Sequence, residues 1–300
     1  MAILRRIPAL LLALTLGAAV SGVGRTPASA AQATVGLGSA GSFAVLAGAT
    51  VTNTGPSVIT GGIGLSPGSA ITGFPPGTVN GAIHAADAVA QQAQADVTTA
   101  YNDAAGRSTS ATISADLGGQ TLVPGVYTGG TLGLTGTLTL DAQGDPQAVF
   151  IFQSASTLIT ASSSNVVMIN GGNSCRVFWQ VTSSATLGTT SVLVGTVLAL
   201  TSITATTGAV VYGRLLARNG AVTLDSNSMN RPSCTSATSA PATTTTPATT
   251  TARAPGAGGA TNLPGTGPRH VATTGITALL VIIAGGLMVA TTRRRRRITD

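Results

Sequence analysis

Residues 171–188 (GGNSCRVFWQVTSSATLG), 189–206 (TTSVLVGTVLALTSITAT) and 207–224 (TGAVVYGRLLARNGAVTL) align without a gap as three blocks of 18 residues. Apolar positions coincide: Cys175 with Leu193 and Val211, Trp179 with Val197 and Leu215, Val181 with Ala199 and Ala217, Ala185 with Ile203 and Ala221. Gly195 falls with Gly213. A fixed short period is what stacked coils of a β-solenoid need, because each coil covers the apolar edge of the next. Short antiparallel strands packed as a sandwich are the rival architecture. The constant register over three blocks favours the solenoid.

Alternation within a block separates inside from outside. Odd positions from Cys175 to Val181, with Ala185 and Leu187, point inward. Val194, Leu198, Leu200, Tyr212 and Leu216 are apolar at even positions, so one outer side of the coils needs a cover. Residues 83–105 (IHAADAVAQQAQADVTTAYNDAA) can supply it. They contain no Gly or Pro, and Ala86, Val89, Ala93, Val97, Ala100, Tyr101 and Ala104 recur at spacings of three and four. Asp87, Gln91, Gln94, Thr98 and Asn102 lie away from that stripe, and Gly106 is placed to end the helix. The expected fold is mainly β: a parallel β-solenoid with one long α-helix packed along a face.

Beyond this domain the chain changes character. Residues 235–262 are rich in Thr, Ala, Pro and Ser and show no apolar period. They read as a disordered or extended stalk, open to O-glycosylation. In polyproline-like extension such a stretch spans roughly 85 Å, at about 3.1 Å per residue. Then come Leu263-Pro264-Gly265-Thr266-Gly267, an apolar run over 271–290, and five consecutive arginines, Arg293 to Arg297. About 20 apolar residues can cross a hydrocarbon core, and the arginines stay on the cytoplasmic side. This order resembles the LPXTG-type sorting signal of Gram-positive surface proteins. The resemblance implies that a sortase cuts between Thr266 and Gly267 and joins Thr266 to peptidoglycan, after a membrane-inserted precursor stage. At the other end, Arg5 and Arg6 precede the apolar stretch from Ile7 to Val20, and Ala28-Ser29-Ala30 is an A-x-A-like cleavage site. Residues 1–30 are read as a secretory signal peptide. The mature chain is expected outside the cell, covalently anchored in the wall, with its domain at residues 32–234.

The net charge of +7 misleads on partners. Arg5, Arg6 and Arg293 to Arg297 supply seven of the 15 positive charges. Residues 32–234 hold five Arg and seven Asp, a balance of 5 − 7 = −2, with neither Lys nor Glu. With no basic stripe and few aromatics to stack on bases, that segment is not a nucleic-acid binder.

The domain resembles the ice-binding-like family, also called DUF3494. The resemblance rests on LGSAGSFAVLAGATVTNTGPSVITGGIGLSPGSAITGF (37–74), Gly125-Val126-Tyr127, Val149-Phe150-Ile151-Phe152-Gln153, CRVFWQV (175–181) and GRLLARNGAVTLD (213–225). These motifs fall in the family's order over about residues 34–234. The resemblance implies a discontinuous right-handed β-solenoid of triangular section, with the helix along one face. It also implies antifreeze-like binding of ice, or of its water lattice, through a flat β-face, with no cofactor, metal or catalytic residue.

The chemistry of such a face is simple. Neighbouring strands lie about 4.8 Å apart, and outward side chains along one strand about 6.6 Å apart. Thr on that grid presents methyls and hydroxyls with few rotamers to freeze out. The candidates are Ser184, Thr186, Ser202, Thr204 and Thr206 in the blocks, and Thr50, Thr52 and Thr54 in an alternating row upstream. Thr135, Thr137 and Thr139 form a further row. Each Thr is equally well explained as an ordinary strand former. The alternative function is a surface adhesin for a glycan or protein ligand, or a structural wall protein, on the same fold. A hydrolase has little support. His84 stands alone, and Asp116, Asp141, Asp145 and Asp225 are scattered with no legible carboxylate pair. Two cysteines in an exported domain suggest a disulfide. A Cys175–Cys234 bond would pin the domain's end to the coils and contribute about 4 kcal/mol in a loop-entropy account.

Overall fold

The computed structural model describes residues 32–234. Residues 1–30, read as a signal peptide, residues 235–262, read as a stalk, the Leu263–Gly267 motif and the apolar run 271–290 lie outside the described residues. Among the described residues, no helix is long and apolar enough to cross a membrane.

The repeat sets the strand pairing. Trp179 lies beside Val197, and Val197 beside Leu215, in parallel strands one block apart. Parallel pairing holds for Phe150–Ser154 on Val177–Val181 and for Ala185–Leu187 on Ile203–Ala205. Neighbouring strands therefore belong to successive coils rather than to hairpins, which disposes of the antiparallel sandwich. Val177, Trp179, Val181, Val197, Leu215 and Ala217 fill the space inside the coils. Tyr127, Phe152 and Trp179 stack there one above another, with ring centroids 5.6 and 4.1 Å apart. The buried indole stays hydrogen-bonded, donating from Nε1 to Val194 O at 2.9 Å.

Each long strand serves two sides of the stack. In Val192–Ala199, Val192 pairs with Asn165, whereas Thr196 pairs with Phe178. The bend between them falls at Gly195, where φ is 110°. A Cβ at Gly213 would sit 1.7 Å from Gly195 O, so both corner positions need glycine. The bend explains the even-numbered apolar residues. Leu198, Leu200 and Leu216 pack under the helix, as a covered side requires. Val194 and Tyr212 precede the corner and face another side: Val194 joins the inner core and Tyr212 is exposed.

The coils do not stack in chain order. In the seven-stranded sheet the order is Leu132–Leu134, Leu158–Thr160, Ala185–Leu187, Ile203–Ala205, Val222–Asp225, Thr50–Thr54, Ala70–Thr72. The first two coils thus sit on the C-terminal end of the stack. The chain must then return to the opposite end, where Ala111–Thr112 pairs with Gly125–Gly129. The helix Ala88–Ala105 makes that return. Its 18 residues give about 27 Å at 1.5 Å per residue. The six strand spacings from Gly62–Leu65 to Gly125–Gly129 amount to about 29 Å.

The structure corrects four expectations. The helix begins at Ala88 with Asp87 as N-cap, its side chain accepting from Ala90 N–H at 2.8 Å, because Ile83–Ala85 is a strand paired with Gly62–Leu65. Ala86 therefore precedes the helix, Val89 is exposed, and Ala90 takes the buried place; Gln94 points to the coils and donates to Ala217 O. Gly106 does end the helix as expected, its N–H donating to Asn102 O, at φ −82° rather than in a left-handed turn. The third block keeps register only to Ala217: Ile203 pairs with Val222 rather than Ala221, because the turn at Arg218–Ala221 is one residue longer. Cys175 does not point into the coils on a strand; it is half-buried in the short 3-10 turn Ser174–Arg176.

Candidate functional site

The seven-stranded sheet carries the threonines. Alternation turns Ala185, Leu187, Ile203, Ala205, Val222, Leu224 and Val51 inward, so the residues between them point out. Thr186 pairs with Thr204, Thr204 with Thr223, Thr223 with Thr52, and Thr52 with Thr72. Five threonines from five neighbouring strands form one unbroken column. Four strand spacings make it about 19 Å long. Thr52, Thr72 and Thr223 are exposed and Thr186 and Thr204 half-buried. Ile159 and Gly133 continue the line at its far end.

The other proposed positions divide by what their hydroxyls do. Ser184 Oγ lies 2.6 Å from Thr201 Oγ1, and Ser202 Oγ accepts from Ala221 N–H at 3.2 Å. Thr206 Oγ1 donates to Leu187 O at 2.8 Å. These three tie one coil to the next at the edges of the sheet. Thr50 and Thr54 flank Thr52 on its strand, beside Ala70 and Asp225 respectively. By contrast, no hydroxyl of the central column has a hydrogen-bond partner among the described residues, so all five are left to water. Thr135 donates to Asp116, whose carboxyl is held below its ordinary range first by that hydroxyl and then by the Gly118 N–H. Thr137 and Thr139 lie on another side of the stack, against Asn165–Ile169.

Thr223 and Thr72 escaped the sequence reading. Thr223 lies 19 residues after Thr204, hidden by the longer turn. A 20-residue spacing would have revealed Thr72, since Val51 pairs with Ile71, Ile59 with Val79 and Ile63 with Ile83 at that offset.

The remaining candidates serve the scaffold. His84 Nδ1 lies 2.7 Å from Asp87 Oδ2, and its ring meets Phe43 edge-on. Asp141 accepts from Gln143 N–H and Asn170, and Asp145 from Gln147 N–H, as turn aspartates do. Cys175 and Cys234 are joined, with Cα atoms 5.6 Å apart.

The profile of the ice-binding-like family matches residues 45–230. The chain belongs to that family. A member from Nostoc sp. (strain HG1), named ice-binding protein, is 54% identical over 209 residues, covering 69% of this chain and 77% of that one. Among solved family structures, an ice binding protein from an Antarctic biological consortium has a TM-score of 0.66 and 52% identity, over 67% of this chain and 92% of that one. The ice-binding protein of the Antarctic ascomycete Antarctomyces psychrotrophicus gives 0.66 and 45%, and is covered over its whole length by 67% of this chain. A domain of this extent therefore folds by itself within the family.

Proposed function

We propose that this protein binds ice at the cell surface through the threonine column Thr186, Thr204, Thr223, Thr52 and Thr72. The observation that carries the reading is the set of five hydroxyls in strict register with no hydrogen-bond partner among the described residues. The backbone beneath them is fixed by parallel pairing on both sides, and each β-branched side chain is already restricted in χ1. Methyls and hydroxyls repeat at the strand spacing on a sheet with one charged group, Asp225, at its margin. Such an array can hold a layer of water in place before contact with a crystal, at little entropic cost. The relatives named as ice-binding proteins support the same reading. The coil stack is taken as the right-handed, triangular solenoid of the family.

The reading extends to the ends of the chain. Residues 1–30 direct export, residues 271–290 hold a membrane-bound precursor, and a sortase transfers the chain at Thr266 to peptidoglycan. Residues 235–262 then hold the domain away from the wall. The test is ice-affinity partitioning of residues 32–234 at low protein concentration. Enrichment in a growing ice phase is expected. Exclusion from it, like that of an inert protein of the same size, would overturn the reading and leave adhesion to a glycan or protein in its place.

A further inference from the structure

Three of the five arginines of residues 32–234 meet at one place. Arg176, Arg214 and Arg231 line a cleft of about 620 Å³ together with Gln147 and the Cys175–Cys234 disulfide. It lies away from the seven-stranded sheet, where the first residues of the domain cross the end of its last strand. No carboxylate is among its lining residues. The ion pairs among the described residues are His84–Asp87 and Arg107–Asp103, so none of the three arginines has one. All seven aspartates of the domain hold partners elsewhere, and the rest of the chain contains a single acid, Asp300.

Arg214 is the unusual member. It is 2% exposed. Its Nε donates to Gly41 O at 3.1 Å, and Nη2 to Pro232 O at 3.3 Å and Cys234 Sγ at 3.4 Å, but Nη1 is buried with no partner among the described residues. Arg231 donates from Nη1 to Gly41 O, and its Nε is likewise buried and unpartnered. Two guanidinium groups thus share the acceptor Gly41 O and repel one another. Burial first, and then the charge of Arg231, push Arg214 down to about 10, which still leaves it protonated at neutral pH. A buried cation with spare donors and a like-charged neighbour is costly unless an anion joins it. Guanidinium forks also match the geometry of planar and tetrahedral oxyanions.

We propose that this cleft binds an oxyanion, a carboxylate or phosphate group on a small molecule, between Arg214 and Arg231, with Arg176 at its mouth. The proposal is independent of ice binding, because the cleft and the threonine column lie on different sides of the coils. Residues 32–234 would be titrated with inorganic phosphate and, separately, with acetate, each against chloride at matched ionic strength, followed by amide chemical shifts. Saturable shifts at Gly41, Arg214 and Arg231 are expected with at least one probe, and the tighter probe distinguishes phosphate from carboxylate. Arg231→Gln should weaken binding at least tenfold. Arg214→Lys, which keeps the charge but not the fork, should weaken it as well. Unchanged ice partitioning and melting in Arg231→Gln would certify its fold. Shifts no different from those with chloride, or equal binding by wild type and a folded Arg231→Gln variant, would overturn the proposal.

Discussion

A single residue decides which threonines matter, and the decisive property is what its hydroxyl already holds. Thr204 and Thr223 are neighbours in the column with free hydroxyls, whereas the Ser202 hydroxyl accepts from Ala221 N–H. The two kinds of position should respond oppositely. Thr204→Arg or Thr223→Arg adds a bulky, strongly hydrated cation to the sheet, so inhibition of ice recrystallisation should fall sharply. Melting should hardly move, since surface changes usually stay within about 0.5 kcal/mol. Ser202→Ala should leave recrystallisation inhibition in place and lower stability by about 1 kcal/mol, the usual worth of such a hydrogen bond. Equal activity in all three variants would move the active surface off this sheet. Alternation alone made Thr186, Thr204 and Thr52 legible. Thr223 was not, because a one-residue slip in a period-2 pattern puts a side chain on the wrong face. The pairing of Thr223 with Thr52 could not be read at all, since nothing local says that residue 52 stacks beside residue 223.

At the scale of elements, the helix shows how local and tertiary signals compete. Its stripe Ala93, Val97, Ala100, Tyr101 and Ala104 was readable at spacings of three and four, and these residues are buried. Its start was not, because pairing with Gly62–Leu65 claims Ile83–Ala85 as a strand. The helix is also fastened electrostatically. Asp96 accepts from Ser39 N–H at 2.7 Å and from Ser39 Oγ at 2.6 Å, which holds its carboxyl below the ordinary range. A depressed folded-state value means stability that is present above the ordinary carboxylate range and lost as pH falls through the folded value. Asp96→Asn should therefore melt below wild type at neutral pH, by no more than about 1 kcal/mol given the exposure of the pair. The gap should close as pH falls below the ordinary carboxylate range and through the lowered folded value. A gap that stays constant over that range would show that the carboxylate charge contributes nothing there.

For the whole molecule, the C-terminal end of the domain is tied covalently to its coils, and the proposed roles of the chain's termini can be tested separately. The bond between Cys175 and Cys234, 59 residues apart in sequence, closes the last coil. The oxidised protein should weigh about 2 Da less than its reduced form, one hydrogen per sulfur. Two thiols open to alkylation in the folded protein would contradict that. Wall attachment is tested by Thr266→Ala, which should shift the protein from the covalently bound wall fraction to the membrane or the medium. Unchanged attachment would remove the sorting step from the proposal. The coil architecture was legible because an ungapped period survives from Phe178 to Ala217. The order of stacking was not, since the strands of residues 43–85 pair at offsets that shift between 18 and 20 residues, and these coils find their remaining neighbour across the whole chain.

That order of stacking has a consequence for synthesis and for the proposed export. A chain that leaves the cell N-terminus first delivers Phe43–Ala47 early, yet one of that strand's two partners, Val210–Ala217, arrives some 170 residues later. At translation rates of about 5–20 residues per second the wait is on the order of ten seconds or more. Until then an apolar strand edge stands open, and the earliest part of the domain must be kept from pairing with another copy. The domain cannot be completed piece by piece as it emerges. It closes only when its last coil has been delivered, so a chain stalled or trimmed before that coil leaves the first one without a lid.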